Sequence, residues 1–289
     1  MKKTRPVAAV LSLDDLLGET FDPDDHELVR AFDELPLWSA PFGLALLDKV
    51  RWRPSIRALD VGCGTGFPLL EVAQRLGPDS HVVGIDPWAA AGERIRQKAR
   101  VYRIGNVEVV QGVAEQMPFP DAHFQLIVSN NGLNNVNNPE QALAECARVS
   151  APGAQLVFTA NLPETMQEFY DVFADVLRAA GSADRLPGLL AHIASKRPTR
   201  DAWERRVRAA EFELDEVEER TFFWRFASGR ALFRHGFIRL AFLQPWKAFP
   251  APADISAVFG EVERRLDVLA NEKGGLSLRI PFACYSCHR

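Results

Sequence analysis

Between residues 55 and 160 the apolar positions keep two alternating rhythms. "IRALDVG" is a short apolar run ending in glycine, and the same pattern returns in "HVVGID", "VEVVQG", "FQLIVSN" and "AQLVFTA". Each reads as a buried strand. Between them lie helical stretches. "PLLEVAQRLG" puts Leu69, Val72, Ala73 and Leu76 on one face, with Pro68 in the first turn and Gly77 as a stop. Ala89 to Arg103 and Pro139 to Val149 follow the same period. Strands alternating with helices of ten to fifteen residues predict an α/β, doubly wound, mostly parallel sheet.

Outside this core the pattern turns helical. Asp24 to Leu35 spaces Leu28, Phe32 and Leu35 for a helix with acids in its first turn, and Phe42 to Val50 is a second, shorter one. Residues 164–180 and 199–210 are helical, and Ser228 to Phe249 is helical and aromatic. "FELDEVEERTFFWRF" is a long strand with acids outward whose alternation slips near Glu216. Gly275 to Cys284 alternates as a last strand, and Pro281 there favours a sheet edge. The expected organisation is an N-terminal helical cap over 1–50 and a Rossmann-like core over 51–289, with lid insertions at about 163–198 and 228–272.

Composition narrows the partners. The chain has 289 residues, a net charge of −4 and a pI near 5.9, so binding to phosphate backbones is not expected. Four cysteines do not make a disulfide framework. Asp14 and Asp15 cut short the apolar stretch of "MKKTRPVAAVLSLDDLL", which argues against a signal peptide. A reducing, cytoplasmic setting is the expectation. Oligomeric state has no signal.

The chemistry gathers where strands end. "LDVGCGTG", Leu59 to Gly66, closes the first strand, and its glycines let a ligand approach bare backbone. Asp86 ends the second strand twenty residues past Gly66, placed to accept from ribose hydroxyls. These features suit a nucleoside cofactor. An NAD fingerprint wants a glycine or small residue where Phe67 stands, so a dinucleotide is disfavoured.

Together "LDVGCGTG", "GIDPW", "AEQMPFPDAHFQLIVSN" and "ALAECARVSAPGAQLVF" resemble the successive motifs of class I S-adenosylmethionine-dependent methyltransferases, nearest the ubiquinone/menaquinone-biosynthesis branch. The resemblance covers about 55–160. It implies a seven-stranded sheet with an antiparallel last strand and S-adenosyl-L-methionine as cofactor, leaving S-adenosyl-L-homocysteine. It implies that Asp60, Gly62, Cys63, Gly64 and Gly66 cradle the cofactor's amino-acid part and sugar. Asp86 would hold the ribose, with Pro87 and Trp88 beside the adenine. Val113, Ala114 and Glu115 would face the adenine's polar edge, and Asn130 the methionine part. Val113 departs from the acid that many relatives carry there.

Plainer roles compete. Asp60 could cap, Trp88 could pack on its helix, and Cys63 and Cys146 suit a core. His123 suits a solvated loop. Cys284 and Cys287 beside His288 lack the second ligand pair of a zinc site, so no metal is expected. A sulfonium donor needs little base catalysis, and the chain offers only His192 and His235 as weak candidates for a base. "SNNGLNNVNN", Ser129 to Asn138, lacks the prolines and aromatic of nucleobase methyltransferases. Asn130 and Asn131 suit cofactor and substrate, while Asn134 to Asn138 suit a helix-capping turn. Trp38 and Phe42, with Phe233 and Phe237, are candidates for an acceptor pocket. Ser228 to Phe249 carries Arg230, Arg234, Arg239 and Lys247 and no acid. It could line a pocket for an anionic or aromatic substrate, touch anionic lipid, or pack its Phe face on the fold. The expected activity is methyl transfer to O, N or C of a small, partly apolar acceptor, quinone-like acceptors included. The alternatives are a non-catalytic binder of the same cofactor and an NAD-dependent enzyme.

Overall fold

The computed structural model describes residues 11–35 and 37–289. Residues 1–10, where the expectation about secretion falls, lie outside the described residues, as does Pro36.

Seven strands build one sheet: β1 (Arg57–Val61), β2 (His81–Asp86), β3 (Val107–Gln111), β4 (Phe124–Asn130), β5 (Ser150–Asn161), β6 (Glu213–Phe226) and β7 (Leu276–His288). Their order is β3-β2-β1-β4-β5-β7-β6. β1 pairs in parallel with β2 and β4, β2 with β3, and β4 with β5. The winding reverses between β1 and β4, which makes their carboxyl ends the switch point where ligands bind in such sheets. The apolar runs of β1, β2 and β4 are almost wholly buried, as parallel strands covered on both faces require.

β7 runs antiparallel to β5, from Gln155 opposite His288 to Asn161 opposite Phe282. It is not an edge: it lies between β5 and β6, and β6 takes the edge. Pro281 is accommodated because it stands one residue beyond this register. There its carbonyl accepts the Leu162 N–H at 3.0 Å, and the Leu162 carbonyl, which an N–H at 281 would have met, accepts the Thr165 N–H at 3.1 Å instead. In β6 the slip near Glu216 is visible as two successive exposed residues, Asp215 and Glu216.

The chain forms two compact units. The larger comprises Asp22–Gln167, Ala191–Trp224 and Arg279–Arg289; the smaller comprises the described part of Met1–Phe21, Glu168–Leu190 and Arg225–Leu278. They do not part near residue 50. The helices His26–Asp33 and Ala40–Lys49 belong to the larger unit. There Asp33 accepts from Arg94 at 2.7 Å and Lys98 at 2.6 Å, both on the helix Ala89–Tyr102.

The smaller unit has its own aromatic core. The aromatic segment begins as a helix, Gly229–Arg234, passes through a π-helical turn, Ile238–Leu243, and ends in the short helix Gln244–Trp246. Phe233 and Trp246 are fully buried, and Trp246 stacks on Phe169 with ring centroids 4.0 Å apart. Phe233 packs edge-on against Phe259 of the helix Ile255–Lys273 at 5.8 Å. Arg234 pairs with Glu263 at 2.8 Å, Arg239 pairs with Glu19, and Lys247 donates to the Leu17 carbonyl at 2.8 Å. Phe233, Phe237 and Trp246 of this segment are thus buried in this unit, Phe242 and Phe249 are half-buried, and Arg230 is the one exposed member of the basic set. No helix among the described residues is long and apolar enough to cross a membrane.

Candidate cofactor site

In the larger unit β1 runs straight into the glycine loop. The N–H groups of Gly62 and Cys63 both donate to the Ile85 carbonyl of β2, at 2.9 and 3.3 Å. Gly62 adopts φ +76°, a conformation that side chains resist, and a Cβ there would stand 2.6 Å from the Cα of Gly132. Gly132 is equally constrained, because its own Cβ would fall 2.1 Å from the Val61 carbonyl oxygen. Ser129 completes the contact: its hydroxyl donates to the Val61 carbonyl at 2.7 Å and accepts the Leu133 N–H at 3.0 Å. The amide-rich turn therefore rests, backbone on backbone, against the glycine loop. From sequence, Asn131-Gly132 reads only as a turn; its partner is seventy residues away and leaves no local signal.

Asp86 ties the loop to β2. One oxygen accepts the Gly64 N–H and the other the Trp88 N–H, each at 2.9 Å. A carboxylate has about four acceptor positions, so two remain. Space opens above Gly64, where a Cβ would meet nothing within 4 Å. Trp88 is half-buried; its indole N–H donates to the Pro23 carbonyl at 2.7 Å and its ring meets Phe32 edge-on at 5.4 Å. The packing role for Trp88 is therefore real, and Pro87 beside it is exposed.

Asp60 is fully buried and neither carboxylate oxygen has a hydrogen-bond partner. Burial first, and the like charge of Asp86 second, push its carboxyl up to about 8, while the Leu69 N–H pulls weakly the other way without closing a bond. The Cys63 side chain points into the core, where Gly84 of β2 makes room for it and for Leu69: a Cβ at 84 would meet each at 2.7 Å. Burial raises its thiol well above the ordinary range. So Gly84, rather than the residue after Gly66, provides the close helix–strand packing. Phe67 instead lays its ring on Gly43 of the helix Ala40–Lys49.

The asparagines divide by position. The Asn130 amide donates to the Ser39 carbonyl at 3.1 Å, and its oxygen accepts from the Thr159 hydroxyl at 3.2 Å. Asn131 has φ +59° and is buried, with neither side-chain amide atom hydrogen-bonded. The later ones serve the turn. Asn134 donates to the Lys196 carbonyl at 2.8 Å, Asn135 to the Asn131 carbonyl at 3.0 Å, and Asn138 caps the helix Pro139–Val149 by accepting the Gln141 N–H at 3.0 Å. Glu115 accepts the N–H groups of Asn137 and Asn138 at 2.8 and 3.1 Å, which fastens the turn to the 113–115 segment. Ala114 is buried, and Val113 is 44% exposed, an apolar side chain left open beside that segment.

Trp38 and Phe42 come together with Phe222, Trp224 and Phe282, with centroid distances between 4.6 and 6.3 Å. Phe233 and Phe237 do not join them within this unit; they are buried in the smaller one. The two histidines are likewise divided, His192 in the larger unit and His235 in the smaller. Burial keeps both below the ordinary histidine range, with Arg197 and Lys196 adding to the effect at His192. His123 precedes β4, at the opposite end of that strand from Asn130. Cys284 and Cys287 are both buried on β7, and their odd spacing sends them to opposite faces of the sheet, so they do not form a chelating pair. His288 meets Asp215 at 2.7 Å. Cys146 is fully buried, with its thiol pushed up to about 12 by burial.

Residues 59–158 match the family described as "Methyltransferase domain". Over this segment, about a third of the chain, the sequence is similar to methyltransferase domains. The chain is 34% identical over 136 residues to a demethylmenaquinone methyltransferase of Listeria welshimeri, covering 46% of this chain and 58% of that protein. It is 36% identical over 138 residues to the ubiquinone/menaquinone biosynthesis C-methyltransferase UbiE of Shewanella pealeana, covering 45% and 54%. The chain spans little more than half the length of these curated relatives. Among solved structures, a putative methyltransferase of Bacillus halodurans aligns with a TM-score of 0.56 at 20% identity over 85% of this chain and 97% of that one, a likeness of fold. The matched stretch of the methyltransferase domain begins one residue before Asp60 and contains the glycine loop, Asp86, the 113–115 segment and the amide turn. Its residues fit an adenosyl sulfonium: an unpartnered buried carboxylate beneath the loop, open space above Gly64, and unused acceptor positions on Asp86.

Proposed function

We propose that this chain transfers a methyl group from S-adenosyl-L-methionine to a small, partly apolar acceptor. What carries the reading is the placement of the methyltransferase domain's glycine loop, acid and amide turn together at the switch point between β1 and β4. When bound, the cofactor supplies a methyl group on a sulfonium, already a good leaving group. The glycine loop offers bare backbone to its amino-acid part, and Asp86 accepts from its ribose hydroxyls. Pro87, Trp88, Val113 and Ala114 border the adenine. Asn130, held by Ser39 and Thr159, faces the methionine part with one amide hydrogen to spare. Orientation of this kind supplies ~7–11 kcal/mol without a strong base.

An aromatic, quinone-like acceptor is the class the larger unit supports best. Asn130 bonds the Ser39 carbonyl, and the neighbouring Trp38 opens the aromatic cluster with Phe42, Phe222, Trp224 and Phe282. The relatives named above are methyltransferases of quinone biosynthesis. Residues 191–198, part of an expected lid, reach the amide turn through the Lys196 carbonyl.

Thermal unfolding tests the cofactor. S-adenosylhomocysteine at about 100 times its dissociation constant is expected to stabilise the chain by ~2.7 kcal/mol. A melting shift with NAD and none with S-adenosylhomocysteine would overturn the reading. Methyl incorporation from labelled cofactor into a hydroxylated naphthoquinone or phenol, against none into a purine base, tests the acceptor class.

A further inference from the structure

The side chain of Asn161 is buried, and its oxygen bonds nothing in the fold. Asn161 is the last residue of β5 and is 9% exposed; the oxygen itself is fully buried without a hydrogen-bond partner. The nearby hydroxyls along the chain are committed elsewhere. Thr159 donates to the Asn130 oxygen at 3.2 Å, and Thr165 donates to the Leu162 carbonyl at 2.8 Å. Native folds leave few such atoms, because a buried acceptor without a donor costs stability.

The strand register places this amide beside the aromatic cluster. Asn161 stands directly opposite Phe282 of β7, so the two side chains leave the same face of the sheet as neighbours. It is the face that the helix Ala40–Lys49 covers. There the Cys284 thiol reaches the Ala45 carbonyl at 3.7 Å, and the Phe282 ring lies 4.6 Å from Phe42. Phe222 meets Phe42 at 5.4 Å, and Trp38 meets it at 5.6 Å. Thr159 shares this face and holds Asn130. A rise of about 3.3 Å per residue puts Asn161 ~7 Å along the strand from Thr159. All of these residues belong to the larger unit. An aromatic wall with an unused acceptor beside it suits a ring that carries a hydroxyl.

Resting on the methyl-transfer reading above, we propose that Asn161 selects the acceptor: its amide oxygen takes a hydrogen bond from a ring hydroxyl, so that a phenol is held and the corresponding methyl ether is refused.

The buried atom is the oxygen, which only accepts, so the ligand has to bring the proton. A phenol does. Its methyl ether brings a second acceptor and leaves both oxygens desolvated and unpaired. Sites built to bond a hydroxyl reject such a mismatch far more strongly than they reject a missing methylene. Asn161 takes up no proton and acts in binding alone.

Calorimetric titration of the full chain, saturated with S-adenosylhomocysteine, with α-naphthol and with its methyl ether reads the preference. The wild-type chain is expected to bind the naphthol about 10- to 100-fold more tightly. Asn161→Leu keeps the size of the side chain and removes its polar atoms. In that variant the preference is expected to vanish while S-adenosylhomocysteine binds as before. The melting temperature of the free variant is expected to hold or rise, because no bond of the fold is lost. A lower melting temperature, or failure to fold, would mean that the fold or an ordered water already uses the oxygen, and overturns the proposal. So does equal affinity for both probes in the wild-type chain, or a preference that survives in the variant. Absence of naphthol binding to a chain that binds S-adenosylhomocysteine overturns the proposal and leaves the cofactor reading standing. A chain that binds no S-adenosylhomocysteine overturns that reading, and this proposal with it.

Discussion

Gly132 has the least room of the glycines at the site. A methyl group there would stand 2.1 Å from the Val61 carbonyl oxygen and force the amide turn off the glycine loop. Gly132→Ala is expected to destabilise the chain by ~1–3 kcal/mol, as overpacking does, and to weaken cofactor binding as well. Denaturant unfolding and cofactor titration read the two effects; wild-type values in both would show that the contact is dispensable. Asp60 makes a second prediction at this scale. Burial and Asp86 raise its carboxyl to about 8, whereas an unfolded aspartate titrates near ~3.9. The folded state therefore keeps a proton that the unfolded state has lost. The stabilisation this brings is complete below pH ~4 and disappears as pH rises through about 8. Between pH 5 and 9 the wild-type chain is expected to lose stability relative to Asp60→Asn, and parallel melting profiles would show that the acid is not shielded as described.

At the scale of elements, the parallel core was open to reading because its physics is local. Apolar runs such as Leu126-Ile127-Val128 mark strands by themselves, and Pro139 with Asn138 marks a helix start that the structure reproduces. The place of β7 was hidden, because strand order depends on partners far along the chain. Pro281 pointed to an edge, yet its position just past the β5 register makes an interior strand tolerable. The helix Ile255–Lys273 is a different kind of omission: Val258, Val262, Leu266 and Ala270 form a plain helical ladder inside a stretch grouped from sequence with the lids. That helix and the segment containing Trp246 share one aromatic core, where the Trp246 N–H donates to the Tyr170 hydroxyl at 3.1 Å. Trp246→Phe and Tyr170→Phe are each expected to cost ~1–2 kcal/mol, with the double variant losing less than their sum because the hydrogen bond is shared. Strict additivity in urea unfolding would deny the bond any energetic weight.

At the scale of the whole molecule, each compact unit is assembled from three separated stretches of chain, which no boundary signal along the sequence announces. The last stretch, Arg279–Arg289, supplies most of a strand between β5 and β6, with Phe282, Ala283, Tyr285 and Cys287 in the core. A chain ending at Leu278 is therefore expected to lose cooperative unfolding altogether, and a sharp melting transition by circular dichroism would show that the sheet closes without it. All four thiols belong to the larger unit and all are buried, while the smaller unit has none. A water-soluble disulfide reagent therefore reacts only when the sheet-bearing unit opens, so the native chain carries its own clock for that opening, with no label to introduce.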